Sequence, residues 1–323
     1  MRRRDFLIAA AAAGLAPLGA RAQGAYPSKP INWVVGFPPG GGADGVTRLV
    51  AAKVSQNIGQ AVIVENRPGA SSIIAAQYVA QAAPDGYTIL TAEQGSMVFN
   101  TALYSKLPYA PARDFAPVTD MIRAPLLLAV NAGFPANDLA SFVEYARKQP
   151  GKLNYGSPGR GLAHQLAMEA FKDRAKLDIA DVQYKGIAPV VQDVIAGQIP
   201  MAAIDTVVVL PHLKSGKLRA LASFSTKRLA VTPDVPSMAE LGYDGLDIAP
   251  IVGVAAPAKT PREIITRLNA EVVKALRDPD VSAKLTGLGL EIIGDTPEQF
   301  AAFLQAEGNR WLPLIRSLNI KLD

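Results

Sequence analysis

The amino-acid sequence predicts an α/β protein built as two domains. Short apolar runs of strand length alternate with segments of helical periodicity. The 323-residue chain is roughly twice the length of one ordinary domain. A glycine-rich turn from strand to helix occurs twice. The alternation argues for parallel sheets, and two domains imply a cleft between them.

The first residues read as an export signal: Arg2-Arg3-Arg4, an apolar run from Phe6 to Ala16, and the small-x-small site Ala20-Arg21-Ala22. Arg3-Arg4-Asp5-Phe6-Leu7 also fits a twin-arginine signal, and an ordinary secretory signal fits almost as well. Cleavage of residues 1–22 leaves 301 of the 323 residues, starting at Gln23, and places the protein in the periplasm. Four arginines and one aspartate leave with that segment, so the formal charge falls from +5 to +2. The remaining lysines and arginines are spread among acids without an aromatic-basic patch, so no nucleic-acid partner is expected. With no cysteine, the chain has no disulfide, thiol chemistry or lipid-attachment site. No segment is long and apolar enough to span a bilayer, so the mature chain is not expected to be membrane-embedded.

Ile31 to Phe37 reads as a strand, and Val46, Leu49, Val50 and Val54 recur at helical spacing from Asp44 onward. Between them, Gly36-Phe37-Pro38-Pro39-Gly40-Gly41-Gly42-Ala43-Asp44 turns the backbone sharply and offers bare N–H groups at the positive end of a helix. That geometry cradles anions, although a plain tight turn shares the signature. No Gly-Lys-Ser/Thr follows, which excludes a nucleotide-binding P-loop. Val62 to Val64 is the next strand, and Asn66 to Ser72 a turn into a helix that Ser71 or Ser72 is placed to cap. Pro84-Asp85-Gly86 turns into the strand Tyr87 to Ala92, and residues 93–117, rich in proline and tyrosine, read as irregular. Leu126 to Val130 is a strand, followed by a helix from Asp138 with Leu139, Phe142, Val143 and Ala146 on one face.

The opening pattern then recurs as a strand at Leu153-Asn154-Tyr155, the turn Gly156-Ser157-Pro158-Gly159-Arg160-Gly161, and a helix from Leu162 to Lys172. If the two turns belong to different domains, two helix N-termini hold one anion from both sides of the cleft. Two unrelated tight turns are the alternative. Val182 to Tyr184 is a strand leading to Lys185-Gly186, Val190 to Ile195 a helix, and Met201 to Ile204 a strand running into Asp205. Leu218 to Ala222 is another strand, and Asp234-Val235-Pro236-Ser237 is expected to start a short helix ending near Gly242. Ile248 to Ala256 crosses back between domains, and Pro261 to Arg277 is an amphipathic helix. Thr296-Pro297-Glu298-Gln299 is a capping box with proline at the first helical position, leading to Trp311.

In this order, several segments together resemble a known family over essentially the whole mature chain. They include Tyr26-Pro27-Ser28-Lys29-Pro30-Ile31, the Phe37–Asp44 turn, Val64-Glu65-Asn66-Arg67-Pro68-Gly69-Ala70 and Pro84-Asp85-Gly86-Tyr87-Thr88. Pro150-Gly151-Lys152-Leu153, Gly156-Ser157, Tyr184-Lys185-Gly186, Ser215 to Ala222 and Pro233-Asp234-Val235-Pro236-Ser237 complete the pattern. The chain resembles the periplasmic solute receptors of tripartite tricarboxylate transporters, the Bug-type binding proteins. The resemblance implies a periplasmic-binding-protein fold of the Venus-flytrap, type II-like kind, with two α/β lobes around a ligand cleft. Residues 23–126 and 251–323 would form domain 1, and residues 127–250 domain 2. It implies capture of a small organic carboxylate, whether a dicarboxylate, tricarboxylate, aromatic acid or acidic amino acid, for membrane transporter subunits. Presentation of the loaded receptor to a membrane signalling protein uses the same closed lobes. A monomer is the default, with no cofactor and no metal.

Carried over residue by residue, the first clamp falls on Phe37, Pro38, Pro39, Gly40, Gly41, Gly42, Ala43 and Asp44, and the second on Ser157, Gly159, Arg160 and Gly161. Backbone N–H groups and Ser157 would bind the carboxylate, with ordered water completing the shell. Ser71, Ser72, Tyr184 and Asp205 are candidates for the cleft wall; the serines equally read as helix caps, Tyr184 as core or hinge, and Asp205 as the cap of the helix at Val207. Asp44 reads first as a helix cap; facing the cleft, it would favour an ammonium group. Ser71-Ser72 replace a common glycine pair, Gln165 stands where histidine is common, Ile251 replaces a usual tryptophan, and Arg160 stands where a small polar residue is common. Arg160 either reaches the distal carboxylate of a dicarboxylate or is a solvated surface residue. A periplasmic hydrolase is disfavoured: Gly156-Ser157-Pro158-Gly159 lacks the Gly-x-Ser-x-Gly spacing, and Pro158 removes the N–H an oxyanion hole would use. His164 and His212 lie in no metal-ligand pattern.

Overall fold

The computed structural model describes residues 26–322, so the export signal expected at 1–22 and the mature start at Gln23 lie outside the described residues. β1 (Ile31–Val35), β2 (Val62–Asn66) and β3 (Thr88–Ala92) pair in parallel with β1 in the middle, joined by α1 (Gly42–Ile58) and α2 (Ile73–Ala80). Trp33 packs with Val46, Val50 and Val54 of α1, whereas Val34 packs with Ala75 and Val79 of α2. Burial on both faces explains why Trp33-Val34-Val35 is apolar without alternation. Gly59, left-handed at φ 67°, ends α1 as its C-cap.

Residues 93–117 are more ordered than the sequence predicts. A π-helical turn (Gly95–Phe99) runs into the short helices α3 (Asn100–Leu103) and α4 (Pro111–Asp114), and then into β4 (Phe115–Arg123), a nine-residue strand. Pro117 disguises that strand in the sequence. The structure accommodates it where the pairing register slips between Val254 and Ala255 of the facing strand, at an irregularity that tolerates a missing N–H.

The chain continues through β5 (Leu126–Asn131), α5 (Leu139–Arg147), β6 (Leu153–Ser157), α6 (Ala163–Ala175), β7 (Ile179–Gln183), α7 (Ile187–Ile195), β8 (Met201–Asp205), α8 (Thr206–Lys214) and β9 (Leu218–Ser223). It returns along β10 (Ile251–Pro257), followed by α9 (Arg262–Leu276), α10 (Pro279–Gly287), β11 (Glu291–Ile292) and α11 (Pro297–Ser317). The capping box expected at Thr296 forms with Gln299, and a second one, Asp138 with Ser141, starts α5. The short helix expected after Asp234 is absent. Residues 234–242 form turns, because Pro236 and Met238 pair their backbone groups with Ser223 at the end of β9.

Two sheets result, in the orders β11-β4-β10-β3-β1-β2 and β7-β6-β8-β5-β9. They are mixed rather than parallel: β10 runs antiparallel to β3 and β4, and β5 antiparallel to β8 and β9. Apart from the short antiparallel pair β11–β4, the departures from parallel pairing involve the strands that carry the chain between lobes, β5 outward and β10 on return. Their registers fix how the lobes meet. Since β3 and β4 both oppose β10, β4 runs with β1, β2 and β3 and ends at Arg123 on their C-terminal edge. β5 starts at Leu126 opposite Asp205, the last residue of β8, with β6 parallel to β8 and β7 parallel to β6. The C-terminal edges of both sheets therefore face the crossing. Backbone bonds seal it: Ala124 N–H to Pro250 O at 2.8 Å, Thr206 N–H to Pro125 O at 3.0 Å, and Phe224 N–H to Leu126 O at 2.8 Å.

The return strand leaves no room for a side chain at Gly253, where a Cβ would lie 2.7 Å from Phe300 Cζ and 2.8 Å from the Thr119 carbonyl oxygen. Gly253→Ala is expected to cost about 2 kcal/mol through overpacking. Urea unfolding should show this as a lower midpoint with an unchanged slope.

Candidate functional site

The turn from Phe37 to Gly42 is exposed between β1 and α1. Gly41 is the N-cap of α1, and no side chain caps the helix, so its first N–H groups are left for another acceptor. Gly40 is left-handed at φ 85°, and a Cβ built on Gly40 or Gly42 would meet nothing within 4 Å. The front of the turn is therefore open, and its back is braced. Asp44 is not the N-cap; it sits inside the first turn, is buried, and reaches back to accept the Gly40 N–H at 2.9 Å. It also accepts from Arg48 Nε at 3.0 Å and from Asn66 Nδ2 at 2.7 Å, while the same Asn66 amide donates to the Phe37 carbonyl at 3.0 Å. Burial pushes the Asp44 carboxyl up, but the bonds from Arg48, Gly40 and Asn66 outweigh it and hold Asp44 below the ordinary aspartate range. Its lone pairs are engaged in shaping the turn.

The neighbouring turn, after β2, is strained. Ala70, Ser71 and Ser72 have successive φ values of 45°, 51° and 67°, a left-handed run without glycine. Ser72 occupies the N-cap position of α2 but makes no side-chain cap bond, which corrects the expected serine cap. In its left-handed conformation the hydroxyl turns inward and is buried. Ser71 is exposed; its carbonyl accepts from Asn100 Nδ2 at 2.9 Å and its hydroxyl from the Tyr104 hydroxyl at 3.2 Å.

In the second lobe, the turn between β6 and α6 is held from within. Ser157 is fully buried and its hydroxyl donates to the Gly159 carbonyl at 3.2 Å, not to a base. Gly161, at φ 71°, donates its N–H to Gln165 Oε1 at 2.7 Å, and Gln165 Nε2 donates to Asp181 Oδ2 at 2.6 Å. Leu162 is the N-cap of α6, again without a side-chain cap. Arg160 is exposed and makes no hydrogen bond or ion pair among the described residues. A Cβ on Gly161 would lie 2.5 Å from Leu103 Cδ1, so this turn packs directly on α3 of the first lobe. Tyr104, next to Leu103, is the residue that holds Ser71. The Ser71 turn and the Gly161 turn thus meet across the lobe boundary.

Tyr184 is half-buried behind the second turn: its N–H donates to Ser157 O at 2.8 Å and its hydroxyl to Asp193 Oδ2 at 2.6 Å. Burial, with Asp193 adding, pushes its phenol up to about 12. Asp205 stands at the N-cap position of α8 but makes no side-chain cap bond; its carboxylate lies 3.4 Å from His164 Nε2. Each singled-out residue therefore sits at a C-terminal strand end: 37–44 after β1, Ser71 and Ser72 after β2, 157–161 after β6, Tyr184 after β7 and Asp205 on β8. The bracing residues Arg48, Asn66, Gln165, Asp181, Asn100 and Tyr104 were not singled out as site residues in the sequence. Asn66 lies in a resemblance segment and Gln165 among the departures from it, but the partners of neither are readable from spacing. Among the described residues no group of three or more acidic or histidine side chains is placed to hold a metal, and no helix is long and apolar enough to cross a membrane.

Comparison with known proteins agrees with this architecture. The family model described as tripartite tricarboxylate transporter family receptor matches residues 46–320. A UPF0065 protein of Pseudomonas sp. (strain P51), in the tcbD-tcbE intergenic region, is 38% identical over 97% of this chain and 94% of its own. Protein BugT of Bordetella pertussis is 33% identical over 92% of this chain and 91% of its own. Among solved structures, Rpa4515 of R. palustris with adipate superposes with a TM-score of 0.81 at 35% identity, covering 92% of this chain and 100% of that one. MatC from Rhodopseudomonas palustris with bound malate gives 0.77 at 33% identity, covering 90% and 100%. With two mixed α/β lobes whose strand ends face each other, and with a family match over most of its length, the chain belongs to the tripartite tricarboxylate transporter receptor family.

Proposed function

We infer that this protein is a periplasmic receptor that captures a small organic dicarboxylate between its lobes and delivers it to a tripartite tricarboxylate-type membrane transporter. The observation that carries the reading is the pair of helix N-termini, both without side-chain caps, on C-terminal strand edges that face one crossing. The dicarboxylates bound by the relatives, adipate and malate, support the ligand class. In this reading residues 23–126 and 251–323 form one lobe and 127–250 the other. The open turn at Phe37–Ala43 receives one carboxylate through backbone N–H groups and ordered water, with Asp44 as its brace. Ser71 walls the site with Ser72 buried beneath it, and the Ser157–Gly161 turn closes over it from the second lobe with Tyr184 and Asp205 behind. Arg160 meets the distal carboxylate. Closure adds the second set of contacts only when ligand is present, so the closed shape reports occupancy to the membrane subunits.

Thermal unfolding of the exported chain with mono-, di- and tricarboxylates, aromatic acids and amino acids tests the reading. A ligand at 100 times its dissociation constant adds about 2.7 kcal/mol, a midpoint rise of several degrees for a chain of this size. A rise with dicarboxylates is expected; no rise with any acid, in protein freed of carried-over ligand, overturns it. Gly40→Val fills the open front of the first turn with a side chain and strains a left-handed position, so titration calorimetry should show binding abolished while circular dichroism shows the fold retained. Arg160→Ala should weaken dicarboxylates by roughly tenfold, the value of one charge-assisted hydrogen bond, and leave monocarboxylates unaffected. Unchanged dicarboxylate affinity would place Arg160 outside the site.

A further inference from the structure

Beneath the two first-lobe turns lies an acid that the binding reading does not use. Glu93, at the end of β3, is buried, and its Oε1 has no hydrogen-bond partner. Its Oε2 lies 3.1 Å from Ser72 Oγ, and Ser72 Oγ lies 3.4 Å from the Gly36 carbonyl oxygen. Ser72 is the last of the left-handed residues, and Gly36 is where β1 enters the glycine-rich turn. The fit is close: a Cβ on Gly36 would lie 2.3 Å from Ser72 Oγ. A hydroxyl carries one proton and a carbonyl oxygen only accepts. Ser72 can give a full two-centre bond to only one of these oxygens; both become full bonds when Glu93 carries a proton and donates it to Ser72 Oγ while Ser72 donates to Gly36.

We propose that Glu93 is a positioning residue for ligand capture: its protonated carboxyl, acting through Ser72 on Gly36, locks the 36–44 and 70–72 turns into one ligand-facing surface. The proposal rests on the carboxylate-receptor reading and names what tunes that site. Burial pushes Glu93 up to about 8, with the Ser72 bond opposing. The titratable groups around it add no positive charge. Tyr109 donates its hydroxyl to Ser96 O at 2.8 Å, and Glu307 of α11 is held by Gln94 Nε2 at 2.8 Å. Above its pKa, the Glu93 carboxylate can only accept. Ser72 must then turn its proton to Glu93, the Gly36 carbonyl loses its donor, and a buried negative charge stands behind a site for anions. Capture should therefore be strong at neutral pH and fade as pH rises through about 8.

Titration calorimetry of the full exported chain with adipate and malate, at pH 6.5 and 9.5, tests this. Wild type is expected to lose somewhat under tenfold in affinity at the higher pH, tenfold being the limit for a one-unit difference in pKa between free and bound protein. Glu93→Gln keeps a neutral donor toward Ser72, so it should bind at pH 6.5 and show a flat profile. Superimposable profiles for the two proteins would overturn the proposal. If neither acid binds wild type at pH 6.5, the dicarboxylate reading is what fails, and hydrogen exchange of residues 68–75 then decides on Glu93. Faster exchange at pH 9.5 in wild type than in Glu93→Gln supports the proton lock, and equal exchange refutes it.

Discussion

The backbone crossing at residues 123–126 and 250–251 is the constraint on which the rest of the structure depends. Two residues separate β4 from β5, so the chain passes from one sheet to the other without a loop that could reorient it. Ala124 is tied to Pro250 on the returning segment, and Arg123 pairs with Ile251. Strand polarity then propagates outward. Because β4 is co-directional with β1–β3 and β5 opposes β8, every parallel strand in both lobes ends toward the crossing. Turns distant in the sequence become opposite walls of one interface by register alone.

Acids around this interface are kept out of water. Burial pushes Asp120 up to about 7 against the opposing charge of Arg123, whose guanidinium also lies 4.0 Å from the Phe303 ring centre. Burial raises Glu307 and Asp295 as well. Near neutral pH the Asp120 carboxyl gives up part of its charge rather than bear the cost of desolvating it, and burial moves Glu307 and Asp295 in the same direction. Asp44 is the contrast. With donors from Arg48, Gly40 and Asn66 it keeps its charge although buried, and that charge points at the turn's own backbone. An anion site beside so many carboxyl groups is compatible with electrostatics because burial works against their charge or hydrogen bonds already engage it.

The alternation of strands and helices was legible because strands such as β5 and β8 are largely apolar runs bounded by glycine, proline or polar residues, and so were the helix start at Asp138 and the Thr296 capping box, whereas the Asp138–Ser141 box was not foreseen. β4 was not: Pro117, Thr119, Asp120 and Arg123 make it resemble a loop, and only the slipped pairing with β10 and the Asp120–Arg123 contact make it a strand. The helix expected at Asp234 failed for the converse reason, since a capping sequence loses when the end of β9 offers the same backbone a partner. At the candidate site, the glycine turns were visible but their bracing was not. Asn66 and Gln165 lie 22 residues from Asp44 and 16 from Asp181, and no spacing rule links such pairs.

The sequence by itself determined most of the secondary elements, the two glycine-rich turns and the family pattern they belong to, because those depend on local backbone freedom and hydrophobic period. Tertiary structure alone decided that the Ser71 and Gly161 turns meet across the lobe boundary, that Ser72 turns inward to Glu93 instead of capping its helix, and that Asp44 is engaged by its own loop. Each of these is a competition among polar groups for a limited set of partners. The outcome depends on which strand ends are neighbours, and that is a property of sheet order rather than of any segment of the chain.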